Sequence, residues 1–288
     1  MYERILVPLD GSALAESVLV RARPILTRPG TEVVVLRAID LVPAMFPTQP
    51  LADLNSASML ATIQDEVEQY VERQVETLRA DGVAAHGIVR TGSAGSTILD
   101  VAASGDVSLV AMSTHGRSGL ARWVLGSVAE KVLRHAQVPI LALHSFGASG
   151  VEFEGKPMSV QKILVPIDGS PISQRIAPHA IELARTFGAS VEVFHAIESL
   201  TGETPVQTAD VEVRAVRDEI ARAGIAVEVV CRRGDAAGAI VDHAEGTGTD
   251  LVAMASHGRS GASRWLLGSV AEKVVRGTHL PVFLLPVR

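Results

Sequence analysis

The chain repeats itself once, and this repeat limits the folds that it can adopt. ILVPLDGS at Ile5 returns as ILVPIDGS at Ile163, 158 residues later, and HGRSGLARW at His115 returns as HGRSGASRW at His257, 142 residues later. Solenoid repeats are far shorter, at about 20 to 50 residues. The sequence therefore predicts a duplicated domain, with copies at residues 1–146 and 159–288 and a glycine- and serine-containing linker at 147–158.

The two offsets differ by 16 residues, so the first copy is longer between its two repeated blocks. Segment 41–58, LVPAMFPTQPLADLNSAS, contains prolines and has no strand pattern. We expect the extra residues to form an elongated loop there.

Short runs rich in valine and isoleucine alternate with helical patterns in both copies. The predicted strands are 4–9, 32–39, 84–90, 107–112 and 138–143, then 162–167, 190–197, 226–232, 250–255 and 280–287. Between them, Val67, Val71, Val75 and Leu78 mark one face of a helix over 62–80. This alternation predicts an α/β fold of two doubly wound domains, each a five-stranded parallel sheet flanked by helices in a Rossmann-like order 3-2-1-4-5. Pro24 and Pro178 fall in the first helix of each copy and should kink or shorten it.

Composition excludes several functional classes. Hydrophobic residues make up 47% of the 288, enough for two buried cores, yet no apolar run could span a membrane. A net charge of −6 and an aromatic content of 3% argue against nucleic acid as a partner. With no signal-peptide pattern at its start, the chain is expected in the cytoplasm. Cys231 is the one cysteine, which rules out an internal disulfide and a multi-cysteine metal site.

A repeated aspartate ends the first predicted strand of each copy. Asp10-Gly11-Ser12 and its counterpart Asp168-Gly169-Ser170 would lie at the carboxyl edge of the sheet, where open parallel sheets bind ligands. The carboxylate could accept hydrogen bonds from ribose hydroxyls or an adenine amino group. Alternatively, the motif is only a turn in which serine caps the next helix.

The fourth predicted strand leads into a glycine-punctuated loop and a new helix. In the first copy the loop follows Met112-Ser113 and includes His115-Gly116-Arg117 and Gly119; Gly126-Ser127 then opens the helix. Unsatisfied amides and the dipole at such a helix start bind anions, so phosphates are the expected ligand. The alternative is a glycine-rich turn with Ser127 as the N-cap. Recurrence of the whole arrangement from Met254-Ala255 to Gly268-Ser269 favours the phosphate site.

Other polar residues have simpler interpretations. We interpret His115 and His257 as turn residues bonded to backbone, because no carboxylate or nucleophile adjoins them in sequence. Cys231 is expected to be buried packing, Glu130 and Lys131 a solvated helix pair, and the acidic helix over 64–76 an exposed face without a partner.

These motifs resemble the universal stress protein family over essentially the whole chain, as a tandem pair of its domains. ATP-binding members carry G-x-x-G, nine residues, then G-S or G-T. Gly116 and Gly126-Ser127 match the last glycine and the G-S, as do Gly258 and Gly268-Ser269, but Ser113 and Ala255 replace the first glycine. The resemblance implies ATP as the ligand, with Mg²⁺ reached through Ser127 and Ser269 rather than through carboxylates.

The resemblance extends the set of candidate nucleotide-binding residues. In the first copy they are Pro8, Asp10, Gly11, Ser12, Ala38, Met112, Ser113, His115, Gly116, Arg117, Gly119, Gly126, Ser127 and Val128. In the second copy they are Pro166, Asp168, Gly169, Ser170, Ala196, Met254, Ala255, His257, Gly258, Arg259, Gly261, Gly268, Ser269 and Val270. The prolines would line the pocket, and the backbone of Ala38 and Ala196 would meet the adenine. The family also pairs domains through the last strand, which implies an intramolecular pseudo-dimer here and, beyond it, a homodimer.

Three functions follow from these patterns. The first is an ATP-binding stress sensor that acts on an unidentified regulatory protein through conformation or assembly, without a catalytic residue and with at most slow hydrolysis. The second is a nucleotide-free scaffold whose sites are degraded at Ser113 and Ala255. The third, an adenine-nucleotide enzyme, is disfavoured because the chain lacks a GxxxxGK[ST] loop and an SGGxDS loop, and HGRSG is a poor match to HIGH.

Overall fold

The computed structural model describes residues 1–40, 56–114, 125–144, 155–197, 206–258 and 267–286. The first repeat contains β1 (Arg4–Pro8), α1 (Ala13–Arg21), α2 (Arg23–Leu26), β2 (Glu32–Ile39), α3 (Ser56–Ala80), β3 (Ala84–Thr91), α4 (Ala94–Ala103), β4 (Leu109–Ser113), α5 (Ser127–His135) and β5 (Ile140–Leu143). The second contains β6 (Lys162–Pro166), α6 (Pro171–Gln174), α7 (Ala177–Phe187), β7 (Ser190–Ile197), α8 (Val206–Arg222), β8 (Val227–Arg233), α9 (Ala236–Gly246), β9 (Leu251–Ala255), α10 (Ser269–Gly277) and β10 (Val282–Leu285).

The strands form one ten-stranded sheet in the order β3-β2-β1-β4-β5-β10-β9-β6-β7-β8. Each half of this order reads 3-2-1-4-5 in its own numbering, so the predicted fold is confirmed. The chain moves outward from β1 to β3, then returns to the other side of β1 with β4, which makes the β1/β4 boundary the switch point of the first repeat. The β6/β9 boundary is its counterpart.

Proline shapes the first crossover of each repeat as the sequence predicts. Instead of one helix, the first repeat has α1 and then α2, and the second has α6 and then α7. Pro24 and Pro178 lie in the first turn of α2 and α7, where a missing N–H costs no helical hydrogen bond. The proline therefore starts a helical segment rather than kinking one.

The 16 extra residues of the first repeat do not all lie in a loop, which corrects the prediction for 41–58. Helix α3 has 25 residues and its counterpart α8 has 17, and both end at equivalent positions. Half of the extra length thus adds about two turns to the start of α3. Residues 41–55 lie outside the described residues, as do 145–154, which include most of the predicted linker.

The two repeats join through an antiparallel pairing of β5 with β10, as the family resemblance implies. Val282 lies opposite Ala142, Phe283 opposite Leu141 and Leu284 opposite Ile140, all in the buried core. Two hydrophobic layers, one on each face of the sheet, contain residues of both repeats. The sheet and both of its cores therefore cross the domain boundary without interruption.

Helices α2 and α7 meet beside this seam. The hydroxyl of Tyr2 lies 3.0 Å from Nδ1 of His179, and the rings of both pack against Phe283 at centroid distances of 5.9 and 5.4 Å. Arg28 forms an ion pair with Glu182 across the same junction. Burial raises the pKa of the Tyr2 phenol, which keeps it protonated and able to donate to His179. No helix among the described residues is long and apolar enough to cross a membrane.

The position of His179 predicts that acid weakens the junction. Burial lowers the pKa of His179, so the folded protein binds fewer protons than the unfolded chain as the pH falls below the ordinary histidine pKa of about 6.5. Stability contributed by the neutral imidazole should be present above that pH and lost as acid protonates Nδ1. Urea unfolding should be measured at neutral pH and at one pH unit below the ordinary histidine pKa. Between these two conditions the free energy of unfolding should fall less for His179→Gln than for the parent protein. Equal losses in both proteins would assign the acid sensitivity to other groups.

Candidate functional site

The strand-end aspartates sit in identical turns in the two repeats. Asp10 accepts hydrogen bonds through Oδ1 from the Ser12 amide at 2.9 Å and from the Ser12 hydroxyl at 2.5 Å. Asp168 accepts the equivalent bonds from Ser170 at 2.9 and 2.6 Å. The glycine between each pair has a positive φ, 76° at Gly11 and 83° at Gly169, which other residues adopt only with strain. The turn thus holds each carboxylate at the carboxyl end of the central strand.

The turn-and-cap interpretation of this motif is confirmed, and the ligand-binding interpretation stays a prediction. The Ser12 hydroxyl accepts from the Ala15 amide at 3.2 Å and caps α1, and Ser170 caps α6 through the Ser173 amide at 3.1 Å. The cap does not remove the aspartate from the switch point, because it uses the serine side chain. Asp10 remains half-buried at the edge of the sheet, as does Asp168.

Helix α5 begins at Ser127, with Gly126 as its N-cap, and α10 begins in the same way at Ser269 after Gly268. The alternative of a serine N-cap is therefore wrong. The Gly126 amide donates to the Thr114 carbonyl at 2.9 Å, and the Gly268 amide donates to the Ser256 carbonyl at 2.9 Å. These amides are used within the protein and cannot donate to a phosphate. The next three amides of each helix, which begin at Ser127 and at Ser269, precede the first helical hydrogen bonds, from Glu130 to Gly126 and from Glu272 to Gly268. Amides in this position are the ones that a helix start offers to an anion.

The same two hydrogen bonds close the loop that precedes each helix. They join the residue after β4 to the start of α5, and the residue after β9 to the start of α10, so each loop leaves and returns at one point. The candidate residues His115, Gly116, Arg117 and Gly119 fall in the first loop and Arg259 and Gly261 in the second, outside the described residues.

Close packing explains why two of the repeated loop positions are glycine. A Cβ at Gly268 would lie 2.6 Å from the Ser256 carbonyl oxygen, so the loop backbone leaves no room for a side chain. A Cβ at Gly258 would lie 1.9 Å from Oδ2 of Asp168. The loop after β9 therefore runs directly against the carboxylate after β6. In the second repeat the structure brings together three predicted site residues, Asp168, Gly258 and Gly268.

The remaining candidates differ in exposure. Ser127 and Ser269 are exposed at the helix starts. Val128 is 36% exposed, so it lies off the buried face of α5 that holds Val132 and Leu133. Met112 and Met254 are buried in the core, and Ala255 is 6% exposed at the end of β9. Ala38 and Ala196 lie in β2 and β7, each within two residues of the strand end. Pro8 and Pro166 end β1 and β6. His257 lies 3.1 Å, through Nδ1, from the Ser256 hydroxyl.

Sequence reasoning missed one polar position beside each aspartate. A guanidinium nitrogen of Arg37 donates to the Leu9 carbonyl at 3.1 Å, and Nδ1 of His195 lies 2.7 Å from the Ile167 carbonyl. The two residues are 158 positions apart and hold the backbone that precedes each Asp-Gly-Ser turn. Each is a polar residue that directly follows buried apolar residues near the end of its strand, which is the signal that could have identified them. The first position carries a permanent charge and the second an imidazole, so the surroundings of the two aspartate turns are not chemically equal.

Helices α5 and α10 are joined by a ring of four charges. Within the helices, Glu130 lies 3.0 Å from Arg134, and Glu272 lies 3.2 Å from Arg276. Between them, Arg134 lies 3.4 Å from Glu272, and Arg276 lies 3.5 Å from Glu130. The prediction that Glu130 and Lys131 form a solvated pair is wrong: Glu130 bridges the repeats, and Lys131 donates to the Ser96 hydroxyl at 2.6 Å.

One further prediction concerns a side chain away from the two aspartate turns. Cys231 is exposed on β8 rather than buried, because β8 is the last strand of the sheet and its outer positions are uncovered. In the described part of the chain, no group of three histidine, cysteine, aspartate or glutamate side chains could hold a metal ion.

The tight glycine position gives a stability prediction. Gly268→Ala should lower the free energy of unfolding by about 1–3 kcal/mol, because its Cβ must displace backbone rather than a mobile side chain. Gly246→Ala is the matched control, since Gly246 ends α9 with nothing within 4 Å of an added Cβ. Denaturant unfolding should find the control at or slightly above the parent stability. Equal stability of both variants would contradict the close packing of Gly268 on Ser256.

Comparison with known proteins gives one consistent answer. The model of the universal stress protein family matches residues 1–144 and again 159–286. A universal stress protein of Mycolicibacterium smegmatis is 26% identical over 99% of this chain and 97% of its own, and one of Methanocaldococcus jannaschii is 29% identical over 51% of this chain and 93% of its own. The crystal structure of a universal stress protein from Archaeoglobus fulgidus superposes with a TM-score of 0.74 at 24% identity, covering 99% of this chain and 98% of that one. The chain belongs to the universal stress protein family, with two of its domains in tandem.

Proposed function

We propose that this protein is a cytoplasmic, ATP-binding stress sensor that signals through its conformation or assembly rather than by turning over a substrate. The observation that carries the proposal is the repeated switch-point geometry: a glycine turn fixes an aspartate on the central strand, next to the strand whose loop leads to a helix start. In the second repeat the contact of Gly258 with Asp168 supports a single crevice.

The residues of the crevice fit the parts of an adenine nucleotide. A half-buried carboxylate at Asp10 or Asp168 can accept hydrogen bonds from the two ribose hydroxyls. The first-turn amides of α5 and α10, with the helix dipole, suit the phosphates, at about 0.3–1 kcal/mol for each dipole interaction. The exposed hydroxyls of Ser127 and Ser269 would donate to a phosphate oxygen or ligate an accompanying Mg²⁺. The backbone of Ala38 and Ala196 would meet the adenine.

The ion-pair ring gives the proposed sensor a physical connection between its sites. Each phosphate-binding helix would carry an anion at its first turn and two members of the ring further along. A small shift of one helix on binding would change the Arg134–Glu272 and Arg276–Glu130 distances directly. The unidentified regulatory partner would then recognise the altered pseudo-dimer.

A nucleotide-free scaffold is the second candidate, and the substitutions at Ser113 and Ala255 favour it. Ala255 is 6% exposed at the end of β9, and a methyl group at this position would crowd a ligand that approached the backbone closely. A scaffold of this kind would keep the same fold and would bind only other proteins. The two candidates differ in one measurable property, the binding of ATP.

Calorimetric titration with ATP and Mg²⁺ tests the first candidate. We expect two sites per chain in the parent protein, one in Asp10→Ala, one in Asp168→Ala, and none in the double variant, because each change removes a single carboxylate. The untouched site in each single variant is the internal control for folding. An absence of measurable affinity in the parent would support the scaffold, and a double variant that binds like the parent would place the site elsewhere.

The ring predicts that the two sites influence each other. Arg134→Ala with Arg276→Ala removes both ion pairs between α5 and α10, at a cost of about 0.2–1 kcal/mol for each half-exposed pair. The difference between the first and second ATP affinities should shrink in this variant and at high salt, because both weaken the ring. Lys273→Ala, on α10 but outside the ring, is the control and should leave the coupling intact. Coupling that persists unchanged in the double variant would argue against transmission by the ring.

A further inference from the structure

The last strand of the sheet, β8, is uncovered along most of its length. It pairs with β7 on one side and with no strand of the described chain on the other. Glu228, Val229, Cys231, Arg232 and Arg233 are all exposed, and Val229 is 39% exposed. The helix packed on this strand, α8, exposes Val211 at 65%. An uncovered strand with exposed valines is a template for pairing with another chain.

Hydrogen bonds to β7 show which β8 residues point outward. The Val191 amide donates to the Ala226 carbonyl at 2.8 Å, and the Gly234 amide donates to the Ile197 carbonyl at 3.2 Å. Residues with even numbers in β8 therefore turn their amide and carbonyl groups toward β7. Odd-numbered residues, which include Val229 and Cys231, turn theirs toward the open edge.

The sequence of β8 is complementary to itself in the antiparallel direction. A two-fold axis through Val230 places Val229 opposite Cys231 of a second copy as a hydrogen-bonded pair, which agrees with their outward backbone groups. The same register places Glu228 opposite Arg232 of the second copy as a non-hydrogen-bonded pair, where side chains are closest. Because of the symmetry, this charge pair forms twice.

Glu228 and Arg232 of β8 lack such partners among the residues that the structure describes. No ion pair of the described residues involves Glu228 or Arg232, and the neighbour of Glu228 on β7 is another acid, Glu192. The opposite edge of the sheet, β3, lacks this complementarity. An axis through Ile88 would place His86 opposite Arg90, and Gly87 lies at the middle of the strand.

We propose that a second copy of this chain docks on β8, antiparallel and centred on Val230, and extends the sheet across a two-fold axis. The occupant is another copy because the charge pattern matches its own reverse. This interface is separate from the β5–β10 seam, which the two repeats use within one chain, and it does not depend on nucleotide binding.

Charge exchange tests the interface on the full chain. Sedimentation equilibrium should find the parent as a dimer, and Glu228→Arg and Arg232→Glu, each alone, as monomers, because each places like charges opposite each other twice. The double variant Glu228→Arg, Arg232→Glu should recover the dimer. Arg90→Glu on β3 is the matched control and should leave the dimer intact. A monomeric parent, single variants that stay dimeric, or a folded double variant that stays monomeric would each overturn the proposal.

Disulfide trapping tests the register. Opposed residues have Cα atoms about 5.5 Å apart, within the range of a disulfide, whereas diagonal neighbours are about 7–8 Å apart. Oxidised Val229→Cys protein should therefore form dimers on a non-reducing gel through Cys231 of the second copy, and the oxidised parent should not. Efficient trapping of the parent through Cys231 alone would overturn the register centred on Val230.

Discussion

The antiparallel contact of β5 with β10 is the interaction on which the rest of the molecule depends. Each strand ends the parallel sheet of its own repeat and, without a partner, would expose a strand whose side chains are all buried here. Pairing supplies the missing ladder of hydrogen bonds and lets apolar side chains of both repeats share the two layers of core. The Tyr2–His179–Phe283 cluster packs where α2 and α7 meet beside this seam, and the four-charge ring joins α5 to α10.

The positions of the two strand-end aspartates follow from the winding of the chain more than from any single residue. Because β6 and β9 are adjacent in space but distant in sequence, the residues that follow the two strands come together beyond the same end of the sheet. Asp168 and Gly258 meet for this reason. The hydrogen bond from the Gly268 amide to the Ser256 carbonyl then holds the start of α10 next to the end of β9.

The strands and the helix breaks of both repeats could be predicted from the sequence, because they depend on residues close together along the chain. The apolar runs at Ile5 and Ile163 predict buried strands, because parallel strands are covered on both faces. Pro24 and Pro178 divide the first crossover into two helices through their own backbone geometry, which does not depend on distant residues. What sequence reasoning missed depends on neighbours distant along the chain. Glu130 has the expected helical spacing to Arg134, but only the seam places Arg276 beside it. Cys231 has an apolar context, yet strand order alone decides that β8 has an open edge.

The seam also reverses the direction of every strand from one repeat to the next, since it is the one antiparallel contact among the described strands. The carboxyl ends of the two parallel sheets consequently lie at opposite edges of the molecule, and so do the strand-end aspartates Asp10 and Asp168. A signal from one aspartate turn to the other would therefore have to pass through the sheet or the helices that flank it.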